Sequence, residues 1–225
     1  MSINVASDFE LSKSLRCYLV LNLIMIVALA ASVITVRKIV NIGYFSFPCC
    51  NIIFSFLTFP ITDIISEILG KAYAKVTVYI SFLSQALFVL LIQTSIYLPH
   101  PDFWTDQMLY QSILGSGPGI LLASMVAFII SQIWDVIIFA KLKKITKGKY
   151  LWLRNNVSMI TSQMINSALF ISIAFYSVHS ISSLFIGSIF LKIMIALLDT
   201  PLVYFGVSFI HKYLDKQTLA YTSDE

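Results

Sequence analysis

A chain of 225 residues with 58% hydrophobic and only 12% charged residues is not a water-soluble domain, which carries roughly twice that share of charge. A mean hydropathy of +0.87 agrees, and the length suits one bundle of membrane spans with short connections rather than a membrane domain plus a sizeable soluble one. The net charge of +4 does not point to nucleic acid, because six of the fifteen Lys and Arg residues lie in one segment, Lys141 to Arg154.

Six apolar stretches are long enough to cross a hydrocarbon core, near 15–36, 50–70, 76–98, 119–140, 156–178 and 184–210. Such a crossing takes about 20 helical residues. The first stretch follows Lys13 and Arg16 and contains ALAAS at 28–32, which imitates a signal peptide with its cleavage site. Its apolar run of about 20 residues outlasts the ~7–15 of a signal core, so it is read as a span.

The second stretch ends in TDIISEILG at 62–70, where Asp63 and Glu67 stand one above the other on a single helical face. Two charges there repel, so one is expected to be protonated or paired with a cation; Lys71 and Lys75 are the nearest partners for Glu67. The 99–118 loop holds Pro99, Pro101, Trp104 and GSGPG at 115–119, which suits a membrane interface better than a phosphate cradle.

The fourth stretch carries Gln132 and Asp135, and the fifth carries Gln163 and Asn166 at the same spacing, so each pair shares a face. The sixth holds Lys192 and Asp199, followed by Pro201. Seven residues put about 10 Å between that Lys and Asp along the axis, so Lys192 is expected to pair with a carboxylate from another helix. Ionisable residues inside spans default to functional candidates because each costs a few kcal/mol to insert. The bland alternative is interhelical hydrogen bonding or a structural ion pair.

SQIWDVIIF at 131–139 and SQMINSALF at 162–170 share Ser-Gln, a polar fifth residue and a Phe at the ninth, whereas SQALFVLLI at 84–92 keeps only Ser-Gln. Two copies on consecutive, oppositely running spans are expected to meet face to face, as in an inverted three-plus-three repeat. Alternating the loops between two sides gives one face Lys13, Arg16, Lys71, Lys75, the six charges of 141–154, Lys212 and Lys216, twelve in all, against Arg37 and Lys38 on the other. The positive-inside rule then predicts both termini in the cytoplasm. The fold expected is an all-α, six-transmembrane-helix bundle, with a cytoplasmic segment 1–14, a transport domain 15–210 and a cytoplasmic tail 211–225.

Cys17, Cys49 and Cys50 make no disulfide framework, and His100, His179 and His211 are too scattered for a metal site. No cofactor is expected. Carboxylates and amides around a cavity suit a flat, neutral molecule with several N–H donors and carbonyl acceptors, such as a guanine-like edge. Phe54, Phe59, Trp134, Phe139, Phe170, Phe175 and Tyr204 are candidate stacking faces, or simply packing.

The stretch SQIWDVIIFAKLKKITKGKYLWLRNNVSMITSQMINSALFISIAF, residues 131–175, resembles the queuosine precursor transporter family, a vitamin-uptake-type group; DIISEILG at 63–70 and ALLDTPLVY at 196–204 resemble two further signatures of it. The matching pieces cover roughly 37–75 and 125–206. The resemblance implies a cell-membrane importer of a deazaguanine-type precursor such as preQ0, preQ1 or queuine, salvaged for tRNA modification, with Asp63, Glu67, Gln132, Asp135, Arg154, Asn155, Asn156, Gln163 and Asp199 as the site positions. Asn166 departs from the acid usual at its place and cannot carry a proton. Arg154 also has a plain role open to it on lipid phosphates, and Asn155 or Asn156 one as a helix cap.

The partners implied are a purine-like small molecule and the bilayer, with no nucleic acid, and with a homodimer or an energising partner left open. Other readings are a substrate-capturing subunit or a transporter of another vitamin-like molecule. An intramembrane enzyme using Asp135 and Asp199 is a third, although HExxH, GxSxG and phosphate-binding GxxxxGK[ST] motifs are absent. A scaffold has no need of so many buried polar groups.

Overall fold

The computed structural model describes residues 12–36, 38–42, 45–115, 118–174 and 182–221. Residues 1–11, Arg37, Phe175, His179 and 222–225, to which the sequence reading gave roles, lie outside them. The elements in order are α1 (Lys13–Thr35), strands β1 (Ile39–Ile42) and β2 (Phe45–Pro48), α2 (Cys50–Ile53), a π-helical turn (Phe54–Thr58), α3 (Phe59–Ile68), α4 (Lys71–Tyr97), α5 (Gln107–Leu114), α6 (Pro118–Ile145), α7 (Leu151–Ala174) and α8 (Ser182–Tyr221).

Among the described residues five helices are long and apolar enough to cross a membrane: Lys13–Thr35, Cys50–Ile68, Lys71–Tyr97, Ile120–Ile145 and Met194–Leu214. The chain is a multi-pass, mainly helical membrane protein. The remaining expected span corresponds to α7, whose 24 residues are long enough but carry Arg154, Asn155, Asn156, Ser158, Ser162, Gln163 and Asn166. Two departures from an all-α chain with an open loop also emerge. Strands β1 and β2 pair antiparallel, Ile39 opposite Pro48 and Ile42 opposite Phe45, in a segment rich in the β-branched and aromatic residues that favour extended backbone. The short helix α5 occupies part of the 99–118 connection.

The second span changes its winding where its sequence loosens the helical ladder. Pro60 has no N–H to offer the carbonyl four residues earlier, and the turn just before it, Phe54–Thr58, is π-helical. The span ends at Gly70, whose φ of +91° is a conformation that only glycine adopts freely; the amides of Leu69 and Gly70 both return to the Ile65 carbonyl and close the helix.

Helix α6 packs antiparallel along α7, α7 along α8, and α3 lies against both α6 and α8. Tyr18, Met25 and Leu29 of α1 join Ile61 and Ile65 of α3, Ala74 and Val78 of α4, and Phe128 and Val136 of α6 in one apolar core. Phe59, Met159, Ile195 and Ala196 form a second, and Ile64, Val203 and Ile210 a third. At Gly206 a Cβ would come within 2.5 Å of Ile64 Cδ1, so the Ile64 side chain occupies the space that a larger residue there would need. Leu19, Leu23, Val27, Leu83, Leu87, Leu90, Leu197 and Phe205 face outward, as a bundle bathed in lipid requires. The polar residues are inside.

Candidate functional site

The two Ser-Gln motifs meet across the α6–α7 seam and exchange hydrogen bonds. Ser162 Oγ donates to Asp135 Oδ1 at 2.8 Å, and Asn166 Nδ2 donates to Ser131 Oγ at 3.1 Å, so the fifth residue of each motif holds the serine that opens the other. Ser162 also bonds the Ser158 carbonyl one turn back. Both glutamines reach the second span. Gln132 Nε2 donates to Thr58 Oγ1 at 3.3 Å and its Oε1 accepts from Thr62 at 3.2 Å, while Gln163 Nε2 donates to Ser55 Oγ at 3.0 Å. Ser55 and Thr58 belong to the π-helical turn. Its altered winding presents their hydroxyls to two different helices.

Beyond these bonds toward the α6–α7 loop lies an acidic region. Asp63 and Asp135 are neighbours across the α3–α6 contact, and Asp199 and Arg154 lie near enough to Asp63 to act on it electrostatically. Two ionised carboxylates in that position repel, whereas one shared proton turns the contact into a hydrogen bond. Among the described residues, no donor group reaches either oxygen of Asp63 or of Asp199, the second oxygen of Asp135, or Oε1 of Gln163. Both side-chain atoms of Asn155 are likewise buried without a partner.

The loop end is closed by ions. Arg154 Nη1 lies 2.7 Å from Glu67 Oε2 and Nη2 lies 3.2 Å from Oε1, a two-pronged pair, with a further bond from Nη2 to the Gly148 carbonyl at 3.2 Å. Lys143 Nζ adds contacts of 3.0 Å to Glu67 Oε2 and 2.6 Å to its backbone carbonyl. Phe139 lies beneath the guanidinium, 5.2 Å from ring centre to carbon.

At the opposite end, nearer the β-hairpin, a cavity of about 100 Å³ opens between α1, α2, α4, α6, α7 and α8. Asn51, Gln85, Ser124, Asn166 and Lys192 are polar on its wall, and Phe54 and Phe170 are aromatic. Lys192 Nζ donates to Asn166 Oδ1 and to Ser167 Oγ, each at 3.0 Å.

Of the expected site residues, Asn166 and Lys192 line this cavity, whereas Asp63, Gln132, Asp135, Asn155, Gln163 and Asp199 are buried between it and the Glu67–Arg154 pair. Four expectations about partners change. Glu67 pairs with Lys143 and Arg154 rather than Lys71 and Lys75, because the chain reverses at Gly70 and carries those lysines away on α4. Arg154 is buried and does not reach the surface where lipid phosphates lie. Asn155 and Asn156 fall inside α7, which begins at Leu151, so neither caps it; Asn156 bonds Thr200 at 2.8 Å and the Trp152 carbonyl at 2.7 Å. Among the described residues Lys192 meets an amide and a hydroxyl, not a carboxylate.

Among the aromatic candidates Phe59 and Phe139 are packed in the interior, and Trp134 and Tyr204 turn partly outward. Sequence reasoning missed Ser55, Thr58, Thr62, Ser131, Lys143, Ser162 and Ser167 as site residues. Of these, only Ser131 and Ser162, which open the repeated Ser-Gln motif, carried a signal of their own.

Residues 48–206 match the family described as "Putative vitamin uptake transporter". A protein of Bacillus subtilis (strain 168) bearing the name "Probable queuosine precursor transporter" is 27% identical over 147 residues, 64% of this chain and 64% of that protein. The chain thus spans less than two thirds of that relative's length. No solved structure shows significant similarity. The matched residues contain every expected site position, from Asp63 to Asp199.

Proposed function

Because the chain belongs to the vitamin uptake transporter family, we propose that it imports a queuosine precursor, a deazaguanine-type base such as preQ0, preQ1 or queuine, for salvage into tRNA. The observation that carries this reading is the run of buried polar groups from the cavity, through Gln132, Asp135 and Asp63, to the Glu67–Arg154 pair. Each buried polar atom left without a partner costs about 1–3 kcal/mol. A bundle that retains several in one region is built for a ligand that supplies what they lack. Asp63, Asp135 and Asp199 have acceptor oxygens to spare, Asn155 offers both a donor and an acceptor, and Gln163 offers an acceptor. A guanine-like edge, with adjacent N–H donors beside a carbonyl, matches that set.

Glu67, Gln132, Arg154, Asn156, Asn166 and Lys192 complete the proposed site as positioning or closing groups. The cavity is the entrance of one state of an alternating-access cycle, and the Glu67–Arg154–Lys143 contacts are the closed side of that state. Helix α7 is the sixth span. Its polar face is turned to α6, α3 and α8, while Trp152, Val157, Met164 and Ile173 face outward.

The basic α6–α7 loop supports a reading in which the closed end faces the cytoplasm, with residues 1–14 and 211–225 on the same side of the cell's inner membrane and 15–210 as the transport domain. A salvage assay tests the reading. The chain is expressed in cells that neither make nor import the precursor, each candidate is supplied, and queuosine is measured in their tRNA. Rescue by at least one is expected; rescue by none reassigns the chain to another vitamin-like cargo.

A further inference from the structure

We infer that the cavity beside Lys192 is a selectivity site, in which the ammonium takes an acceptor of an uncharged deazaguanine and turns away one bearing a protonated amine. This deepens the transport reading and rests on it.

Lys192 is 5% exposed, and among the described residues its Nζ has two acceptors, Asn166 Oδ1 and Ser167 Oγ. An ammonium has three N–H donors, so one remains for the cavity that the residue lines. No carboxylate of the described residues forms an ion pair with it, and no Asp or Glu is among the residues lining the cavity. A cation taken out of water without a counter-charge is costly to the protein, and an oxygen or nitrile nitrogen brought by a ligand offsets that cost.

Gln85 points to the same conclusion from another wall. It lines the cavity, is buried, and its Oε1 has no donor among the described residues. The cavity therefore calls for a ligand that presents an acceptor toward Lys192 and an N–H toward Gln85, with the aromatic rings of Phe54 and Phe170 on its wall.

A 7-cyano-7-deazaguanine meets this description: it is flat and uncharged, and its carbonyl and nitrile are acceptors. The 7-aminomethyl analogue differs by carrying a protonated amine, which repels the Lys192 ammonium in a site shielded from water. The carboxylates that would welcome such a cation, Asp63 and Asp135, lie buried behind the cavity.

The test is uptake of the two radiolabelled bases by cells expressing the full chain, as wild type, Lys192→Gln and Lys192→Arg, with membrane abundance measured by an epitope tag. The wild type is expected to favour the cyano base by about tenfold, Lys192→Gln to shrink that preference to about twofold, and Lys192→Arg to keep it. Equal uptake of both bases by the wild type, or an unchanged ratio in Lys192→Gln, overturns the inference while leaving transport standing. Uptake of neither base by the wild type overturns the transport reading itself. If Lys192→Gln fails to accumulate, competition on the wild type decides: unlabelled aminomethyl base that blocks uptake as well as unlabelled cyano base counts against selectivity.

Discussion

Arg154 of α7 and Glu67 of α3 are joined by two hydrogen bonds, of 2.7 and 3.2 Å, between helices more than eighty positions apart in the chain. The guanidinium side is almost fully enclosed at 1% exposure, and the carboxylate side is only 15% exposed. Lys143 of α6 grips the same carboxylate, so three helices of the bundle converge on Glu67. A planar, two-pronged contact of this kind fixes angle as well as distance. Separating α3 from α7 at this end therefore means breaking it.

Glu67→Gln leaves the Arg154 charge enclosed and without its partner, a change that costs about 3–5 kcal/mol in buried pairs. The expected outcome is a clear drop in the melting temperature of the purified protein in detergent. Arg154→Lys keeps the charge and loses the fork, so it should melt closer to the wild type while uptake still falls. Wild-type melting of both variants would mean that the pair contributes little to closure.

Asp135→Asn separates the chemistry of the acidic region from its packing. The amide has almost the same volume and can still accept from Ser162, but it cannot share a proton with Asp63 or receive two N–H bonds from a ligand. Uptake should be abolished with membrane insertion intact. Ser162→Ala, which removes the bonds to Asp135 and to the Ser158 carbonyl but leaves the carboxyl itself in place, should be milder. Undiminished uptake in Asp135→Asn would remove this carboxylate from the site.

The polar faces of α6 and α7 were legible in the sequence because helical spacing places Gln132 beside Asp135 and Gln163 beside Asn166 without any knowledge of neighbours. What such spacing cannot supply is the partner across the interface. Lys71 and Lys75 are near Glu67 in sequence, yet Gly70 reverses the chain and the distant Lys143 and Arg154 take their place. Asp63 and Glu67 share a face in sequence, but one turns to Asp135 and the other to Arg154. Lys192 calls for an acid by charge alone and meets Asn166, the residue that stands where the first motif has Asp135. The roles of Ser55 and Thr58 depend on a π-helical turn, which period-counting on an α-helix places at the wrong angle.

Pro60→Ala tests whether that turn matters for transport. Alanine restores the N–H and removes the ring, so the helix gains the freedom to rewind as a regular α-helix through Phe54–Thr58. Rewinding would rotate Ser55 and Thr58 away from Gln163 and Gln132. The expected result is a melting temperature at or above that of the wild type, together with a loss of uptake of about tenfold or more from misplaced polar groups. Wild-type uptake in this variant would show that the site tolerates the regular winding.

Single-cysteine labelling tests the direction of the bundle and the crossing of α7 together. Cys17, Cys49 and Cys50 are first replaced by serine, and one cysteine is then placed at Phe103, Lys147 or Ser182. Phe103 is highly exposed between α4 and α5, Lys147 lies in the basic loop between α6 and α7, and Ser182 opens α8. The twelve-to-two split of basic residues predicts Lys147 in the cytoplasm and the other two positions outside. A membrane-impermeant maleimide added to intact cells should therefore modify Phe103→Cys and Ser182→Cys, while Lys147→Cys reacts only after the cells are opened. Labelling of Lys147→Cys from outside would invert the orientation. Labelling of Ser182→Cys only in opened cells, alongside Lys147→Cys, would mean that α7 does not cross, and its polar residues would then need another explanation than a lining shielded from lipid.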